Sequence, residues 1–185
     1  GVNYITLAHS KSNHISDSSY DENKRWPDGL SPFGFKVVKE MNKQGVMIDI
    51  SHVSDAAFMK VLELSKAPVV ATHSSLRHFT PGWERNVSDE MLIALAENGG
   101  VIQLCFGSDF VANRKDNPDI EVSVKNVVDH IDRVRDLVGI DHVGFGSDFD
   151  GEVPLPEDIN DVSKFPNLIE ELLIRAYTQN EIDKI

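Results

Sequence analysis

Two rhythms of apolar and polar positions alternate along the chain. Short runs rich in β-branched residues, at 2–8, 46–50, 68–72, 101–106 and 142–146, have the length and composition of strands. Between them apolar residues recur every three or four positions: Phe33, Val37, Val38 and Met41; Phe58, Val61 and Leu62, with Ser65 on the same face; Met91, Leu92 and Leu95; and Val124, Val127, Val128, Ile131, Val134 and Leu137. That spacing predicts helices with one inward face. Near the end Leu168, Leu172 and Leu173 predict a further helix, entered through Pro166 and facing inward with all three. The punctuation agrees. Ser31 followed by Pro32, Ser54 and Ser88 stand as N-caps, Gly45, Gly99 and Gly139 stand past helix ends, and Thr178 with Glu181 spells a capping box.

Five strands alternating with helices predict a parallel α/β architecture, with right-handed crossovers that bring every strand C-terminus to one edge. A complete eightfold barrel runs to about 250 residues. Residues 1–185 are therefore expected to be the C-terminal portion of a single (β/α)8 TIM-type barrel, about its last five βα units, with N-terminal strands missing. A doubly wound sheet is the alternative, and no Gly-rich phosphate loop follows a strand to support it. The nearly continuous apolar run 101–106 reads as a strand covered on both faces. A polar stretch, 10–29, follows the first strand and is expected to hang over the sheet edge; a second loop, 74–87, follows the third.

Composition narrows the partners. The 18 Lys and Arg against 30 Asp and Glu give a formal net charge of -12, which argues against nucleic acid or an anionic membrane surface and suits a small molecule or a cation. No apolar run approaches the roughly 20 residues needed to span a bilayer. The single Cys105 excludes an intramolecular disulfide and leaves the compartment undecided.

His9, His52, His73 and Asp148 each stand at the end of a predicted strand. One strand-end histidine is unremarkable, whereas four such ends converging on one edge read as a metallohydrolase: neutral imidazole is a good zinc ligand and carboxylate a good base beside it. Arg85, in the loop after the His73 strand, is apt for a substrate carboxylate or equally for plain surface. The other histidines read as bland. His130, beside Asp129 and Asp132, is expected on the solvated side of its helix, His142 at the opposite sheet edge, and His14 and His78 in loops, with His78 the nearest of these to a substrate.

The stretches Gly45-Val46-Met47-Ile48-Asp49-Ile50-Ser51-His52-Val53-Ser54, Ala71-Thr72-His73-Ser74-Ser75, Arg85-Asn86-Val87 and Gly144-Phe145-Gly146-Ser147-Asp148-Phe149-Asp150-Gly151 resemble the membrane (renal) dipeptidase family of zinc peptidases, of the amidohydrolase type. So do Gly29-Leu30-Ser31-Pro32-Phe33-Gly34 and Asp161-Val162-Ser163-Lys164-Phe165-Pro166, so that the resemblance covers nearly the whole chain.

The resemblance implies a (β/α)8 barrel holding two zinc ions and hydrolysing dipeptides through a hydroxide that bridges the metals. His52 and His73 would ligate one zinc, His9 would steady the substrate carbonyl and its oxyanion, Arg85 would take the C-terminal carboxylate, and Asp148 would move protons. The family's remaining ligands, a His-x-Asp pair and a bridging glutamate, have no counterpart here, so the 185 residues alone are expected to be an inactive piece of a larger enzyme. Family members are membrane-anchored, secreted or cytoplasmic, and the resemblance leaves both compartment and a homodimer open. The rival readings are another metal-dependent amide, ester or lactone hydrolase on the same barrel, and a catalytically silent binding or assembly module.

Overall fold

The computed structural model describes residues 1–151 and 153–185. Its centre is a five-stranded sheet, all parallel, of β1 (Tyr4–Thr6), β2 (Met47–Asp49), β3 (Val70–Ser74), β4 (Val101–Leu104) and β5 (Val143–Phe145). The strands lie side by side in chain order. That sequential order is the winding of a barrel; a doubly wound sheet reverses direction at a switch point. The strands are shorter than the apolar runs that announce them, and the spare residues at their C-terminal ends, Leu7, Ile50, Cys105 and Phe106 among them, are buried in the turns above the sheet.

Helices α1 (Pro32–Gln44), α2 (Asp55–Leu64), α3 (Asp89–Glu97) and α5 (Val124–Val138) fill the crossovers, and α6 (Phe165–Ile174) and α7 (Gln179–Ile182) follow the last strand. Their starts are where the local chemistry puts them. The hydroxyls of Ser31, Ser54 and Ser88 accept from the backbone N–H of Gly34, Ala57 and Met91, and Thr178 and Glu181 form the reciprocal box. Gly45, at φ 69°, ends α1 in the left-handed conformation that glycine reaches without strain. The inward faces of α1, α2, α3 and α5 then meet one face of the sheet in a continuous core, with Val38, Val61, Leu92, Leu95, Val127, Val128 and Ile131 wholly buried against Ile48, Ala71, Ile102 and Leu104. Burying each Leu- or Val-sized side chain is worth ~1.5–3 kcal/mol, which is what holds the sheet edge in place.

Two expectations need correcting. β4 is covered on one face only: Ile102 and Leu104 are buried while Val101 and Gln103 stay half-exposed, because five strands do not close a barrel over the other face. Leu173 is 53% exposed and turned outward, since α6 packs through Leu168 and Leu172 with Glu171 beside them. The polar loop after β4 also contains a short helix, α4 (Ser108–Val111), whose single turn is too brief to show a period. Stretch 10–29, by contrast, lies where expected. It is tied down by bridges from Ser16 to Leu30 and from Ser18 to Val53, and by Asp17, whose buried carboxylate accepts from the N–H groups of Arg25 and Trp26.

Candidate active site

The turns leaving β2, β3 and β5 carry the chemistry. After β2 the chain turns sharply at His52, with φ 69°, and after β5 it does the same at Asp148, with φ 60°. Left-handed backbone at a residue with a side chain costs ~1–3 kcal/mol, and such strain gathers at sites whose geometry must be held. His73 lies within β3 itself, one residue before its end. The ring of His9, just past β1, packs 4.2 Å from that of His52, which in turn is 4.7 Å from that of His73.

At the centre the two Nε2 atoms of His52 and His73 face one another at 2.6 Å. Nitrogen lone pairs that close repel unless a proton or a cation lies between them. Burial, the Arg85 charge and the neighbouring imidazoles push His52 down to about 2. Burial and Arg85 also lower His73, while Asp148 and Asp49 pull the other way. Both rings therefore stand neutral, with donor nitrogens converging on one point, which is the form in which imidazole binds a metal. The Nδ1 of His52 is buried without a partner among the described residues. Among the described residues no group of three or more His, Cys, Asp or Glu side chains is close enough to hold an ion, so this chain fits part of a metal site, with two donors.

Arg85 is only 3% exposed and lies against this pair. Its Nη2 donates to the His73 carbonyl at 2.5 Å and approaches His52 Nε2 at 3.3 Å, and its Nη1 donates to the Ser74 hydroxyl at 2.8 Å. The guanidinium lies 5.1 Å from the centre of the Phe110 ring, and its Nε has no partner among the described residues. Burial lowers its pKa, countered by Tyr20, Cys105, Asp148 and Asp49. Asn86 fixes the loop behind it, donating to Thr80 and to the Phe110 carbonyl and accepting from the N–H of Ser75. Asp148 is half-buried; the Cys105 thiol lies 3.8 Å from its Oδ2, and burial pushes that thiol up to about 12, so it stays protonated and donates to the carboxylate. A Cβ at Gly151 would lie 2.5 Å from Asp148 Oδ1, so a residue without a side chain there leaves room for the carboxylate.

The structure thus gathers His9, His52, His73, Arg85 and the Asp148 turn at one sheet edge. Two contributors escape the sequence. Tyr20 comes in on the long loop, because the N–H of Ser19 donates to the His52 carbonyl, and its ring lies 6.0 Å from that of His52. Burial raises its pKa, with Arg85 opposing. Asp49, in the middle of an apolar run, is wholly buried beneath the site.

His130 corrects an expectation: it is fully buried, not solvated. Its Nδ1 accepts from the N–H of Leu76 at 3.0 Å, Nε2 lies 3.3 Å from the Val111 carbonyl, and the ring packs against Phe79. His142 sits in the turn before β5, with Nδ1 2.8 Å from the Gly100 carbonyl. His78 is exposed on the 3-10 turn Arg77–Phe79, packed edge-on to Phe79, and His14 stacks on Phe33.

Comparison with known proteins assigns the chain. The description "Membrane dipeptidase (Peptidase family M19)" matches it over residues 1–185. The chain belongs to the membrane dipeptidase family. Among curated relatives, dipeptidase tcpJ of Claviceps purpurea is 41% identical over 185 residues, all of this chain and 42% of that protein. Dipeptidase verJ of Clonostachys rogersoniana is 42% identical over 182 residues, 98% of this chain and 45% of its own length. The chain therefore spans less than half of either. A metallo peptidase from Rhodobacter sphaeroides, solved with a phosphinate mimic of the dipeptide L-Ala-D-Ala, superposes with a TM-score of 0.89 at 32% identity, covering all of this chain and 53% of that one. The five-stranded sheet is accordingly a set of βα units of the TIM-type barrel of metallo-dipeptidases. Among the described residues no helix is long and apolar enough to cross a membrane.

Proposed function

We propose that this chain supplies the C-terminal portion of a single (β/α)8 domain, and with it part of the active site of a zinc-dependent dipeptidase. The observation that carries this is the pair of imidazoles converging through Nε2 beside a buried guanidinium, at the C-terminal edge of the sheet. The dipeptide mimic bound to the Rhodobacter sphaeroides relative supports the substrate class.

His52 and His73 would hold zinc through Nε2, the remaining ligands coming from strands outside these residues. When bound, zinc polarises the scissile carbonyl and makes water acidic enough to attack it near neutral pH. His9, exposed beside His52 with Nδ1 2.9 Å from the Ser10 hydroxyl, would donate from its other ring nitrogen to the carbonyl oxygen as negative charge develops there. Arg85 offers a planar fork suited to the substrate's C-terminal carboxylate, and the aromatic ring behind it keeps that fork dry. Asp148 takes the proton of the attacking water and returns it to the leaving amine, a transfer worth ~10²–10⁴-fold in rate. Tyr20 closes the site from the long loop.

The test is Arg85→Met in the full-length protein, assayed on a dipeptide and on its C-terminal amide. Removing one partner of a buried charge pair costs ~2–5 kcal/mol. KM for the dipeptide should rise steeply while the amide, already poor, changes little. Equal losses on both would remove the carboxylate-binding role and favour a hydrolase of other amides, esters or lactones.

A further inference from the structure

Beneath the histidine pair, Asp49 collects four hydrogen bonds and spends both oxygens on them. Oδ1 accepts from the N–H groups of Ser51 at 2.9 Å and Thr72 at 3.1 Å; Oδ2 accepts from the hydroxyls of Thr6 at 2.5 Å and Thr72 at 2.8 Å. The carboxylate is wholly buried and ties the ends of β1, β2 and β3 together. A carboxylate only accepts, and a threonine hydroxyl has one proton to give. With that proton directed to Asp49, Thr72 Oγ1 has only lone pairs left, and it lies 2.8 Å from His73 Nδ1. Ser51 does not change the count: its hydroxyl, 3.4 Å from Thr72 Oγ1, takes the N–H of His73 at 3.1 Å and can add a second donor to Thr72. The contact between Thr72 and His73 is satisfied one way, with the proton on Nδ1.

We propose that Asp49 and Thr72 are positioning residues that lock His73 in the Nδ1–H tautomer, holding the Nε2 lone pair toward His52 for a cation. The direction of each hydrogen bond in the chain Asp49, Thr72, His73 follows from the one before it, so the buried carboxylate dictates the state of a ring it does not touch. The pair is asymmetric. His52 has no such hydrogen-bonded support among the described residues, since its Nδ1 is buried without a partner there; its turn, the Arg85 contact and the packed rings of His9 and Tyr20 orient it. The consequence for metal affinity rests on His73 being a ligand, as proposed above; the tautomer itself does not. A polar partner behind a ligating imidazole is typically worth ~10–100-fold in metal affinity or activity.

The variants are Thr72→Val, which keeps the branched shape and the backbone N–H to Asp49 while removing the hydroxyl, and Thr72→Ser, which restores it. In the metal-free full-length protein, nitrogen-15 NMR of His73 should show Nδ1 protonated in the wild type and in Thr72→Ser. In Thr72→Val the proton should move to Nε2, the tautomer histidine favours in water. Zinc affinity, measured by competition with a chelating dye, should fall by ~10–100-fold in Thr72→Val and recover in Thr72→Ser. A wild-type His73 protonated on Nε2 would overturn the inference whatever the variants do, as would a Thr72→Val protein whose His73 keeps its proton on Nδ1. The expected tautomers in a wild-type protein that takes up no zinc would leave the positioning role standing and remove the metal-ligand reading instead.

Discussion

His52 and Asp148 both hold left-handed backbone, each in the turn that follows its strand, and each turn carries a polar side chain of the site. For Asp148 the orientation is guarded by Gly151, whose missing side chain leaves the carboxylate its space. Gly151→Ala should therefore act like a catalytic lesion without touching substrate. A displacement on the order of 1 Å costs up to ~10²-fold, so kcat should fall by about that much with zinc content unchanged. Asp148→Asn should fall further, by ~10²–10⁴-fold, again at full zinc content, as elemental analysis beside steady-state kinetics would show. A loss of metal in either variant would make the turn a support for the ligands and not for proton transfer. The gathering of His9, His52, His73 and Asp148 was legible in the sequence because each stands at the end of a predicted strand, and a parallel sheet sends all strand C-termini to one edge. Asp49, Thr72 and Tyr20 were not. Their roles come from cross-strand register and loop docking, which bring together side chains distant in sequence, and residue type gives no sign of that.

Among the elements, what is local was readable and what is relational was not. The serine caps of α1, α2 and α3 work through backbone groups three residues away, so the sequence contains both partners. His130 on α5 has its partners on Leu76 and Val111, far along the chain, and flanking aspartates disguised a buried position as a solvated one. It pins α5 to the loop after β3, which carries Arg85, and to α4, which carries Phe110. Burial depresses this imidazole to about 3, below the value near 6.5 of an unfolded histidine. Its contribution is thus complete above about pH 6.5 and is lost as the pH falls toward 3, where the unfolded chain binds a proton that the folded one refuses. Denaturant melts of the full-length protein should show stability falling on acidification across that window, by up to ~1.4 kcal/mol per pH unit from this group. His130→Gln should flatten that slope and lower stability at pH 7 by ~1–3 kcal/mol, through the unpaired buried groups it leaves. An unchanged slope would assign the acid sensitivity to other groups.

At the scale of the molecule, the sheet is finished on one face and open on the other. Tyr4 and Ile5 of the edge strand β1 are 52% and 41% exposed, and Met47 of β2 is 45% exposed beside them, an apolar edge. Such an edge recruits other chains. Residues 1–185 produced alone should form open-ended aggregates, bind hydrophobic dyes and hold zinc weakly, whereas the full-length protein should sediment as one defined species, exclude the dye and hold zinc tightly; sedimentation and dye binding of both forms decide it. A stable monomeric 185-residue form with full activity would contradict the assignment of these residues to part of a larger barrel.

The most direct measurement is zinc content and dipeptide hydrolysis on one preparation of the full-length protein, wild type and His73→Ala. The wild type should carry zinc, two ions where the barrel is complete, and cleave a simple dipeptide in a manner abolished by a chelator and restored by zinc; His73→Ala should lose metal and turnover together. Normal zinc content and normal turnover in His73→Ala would contradict the account at its centre.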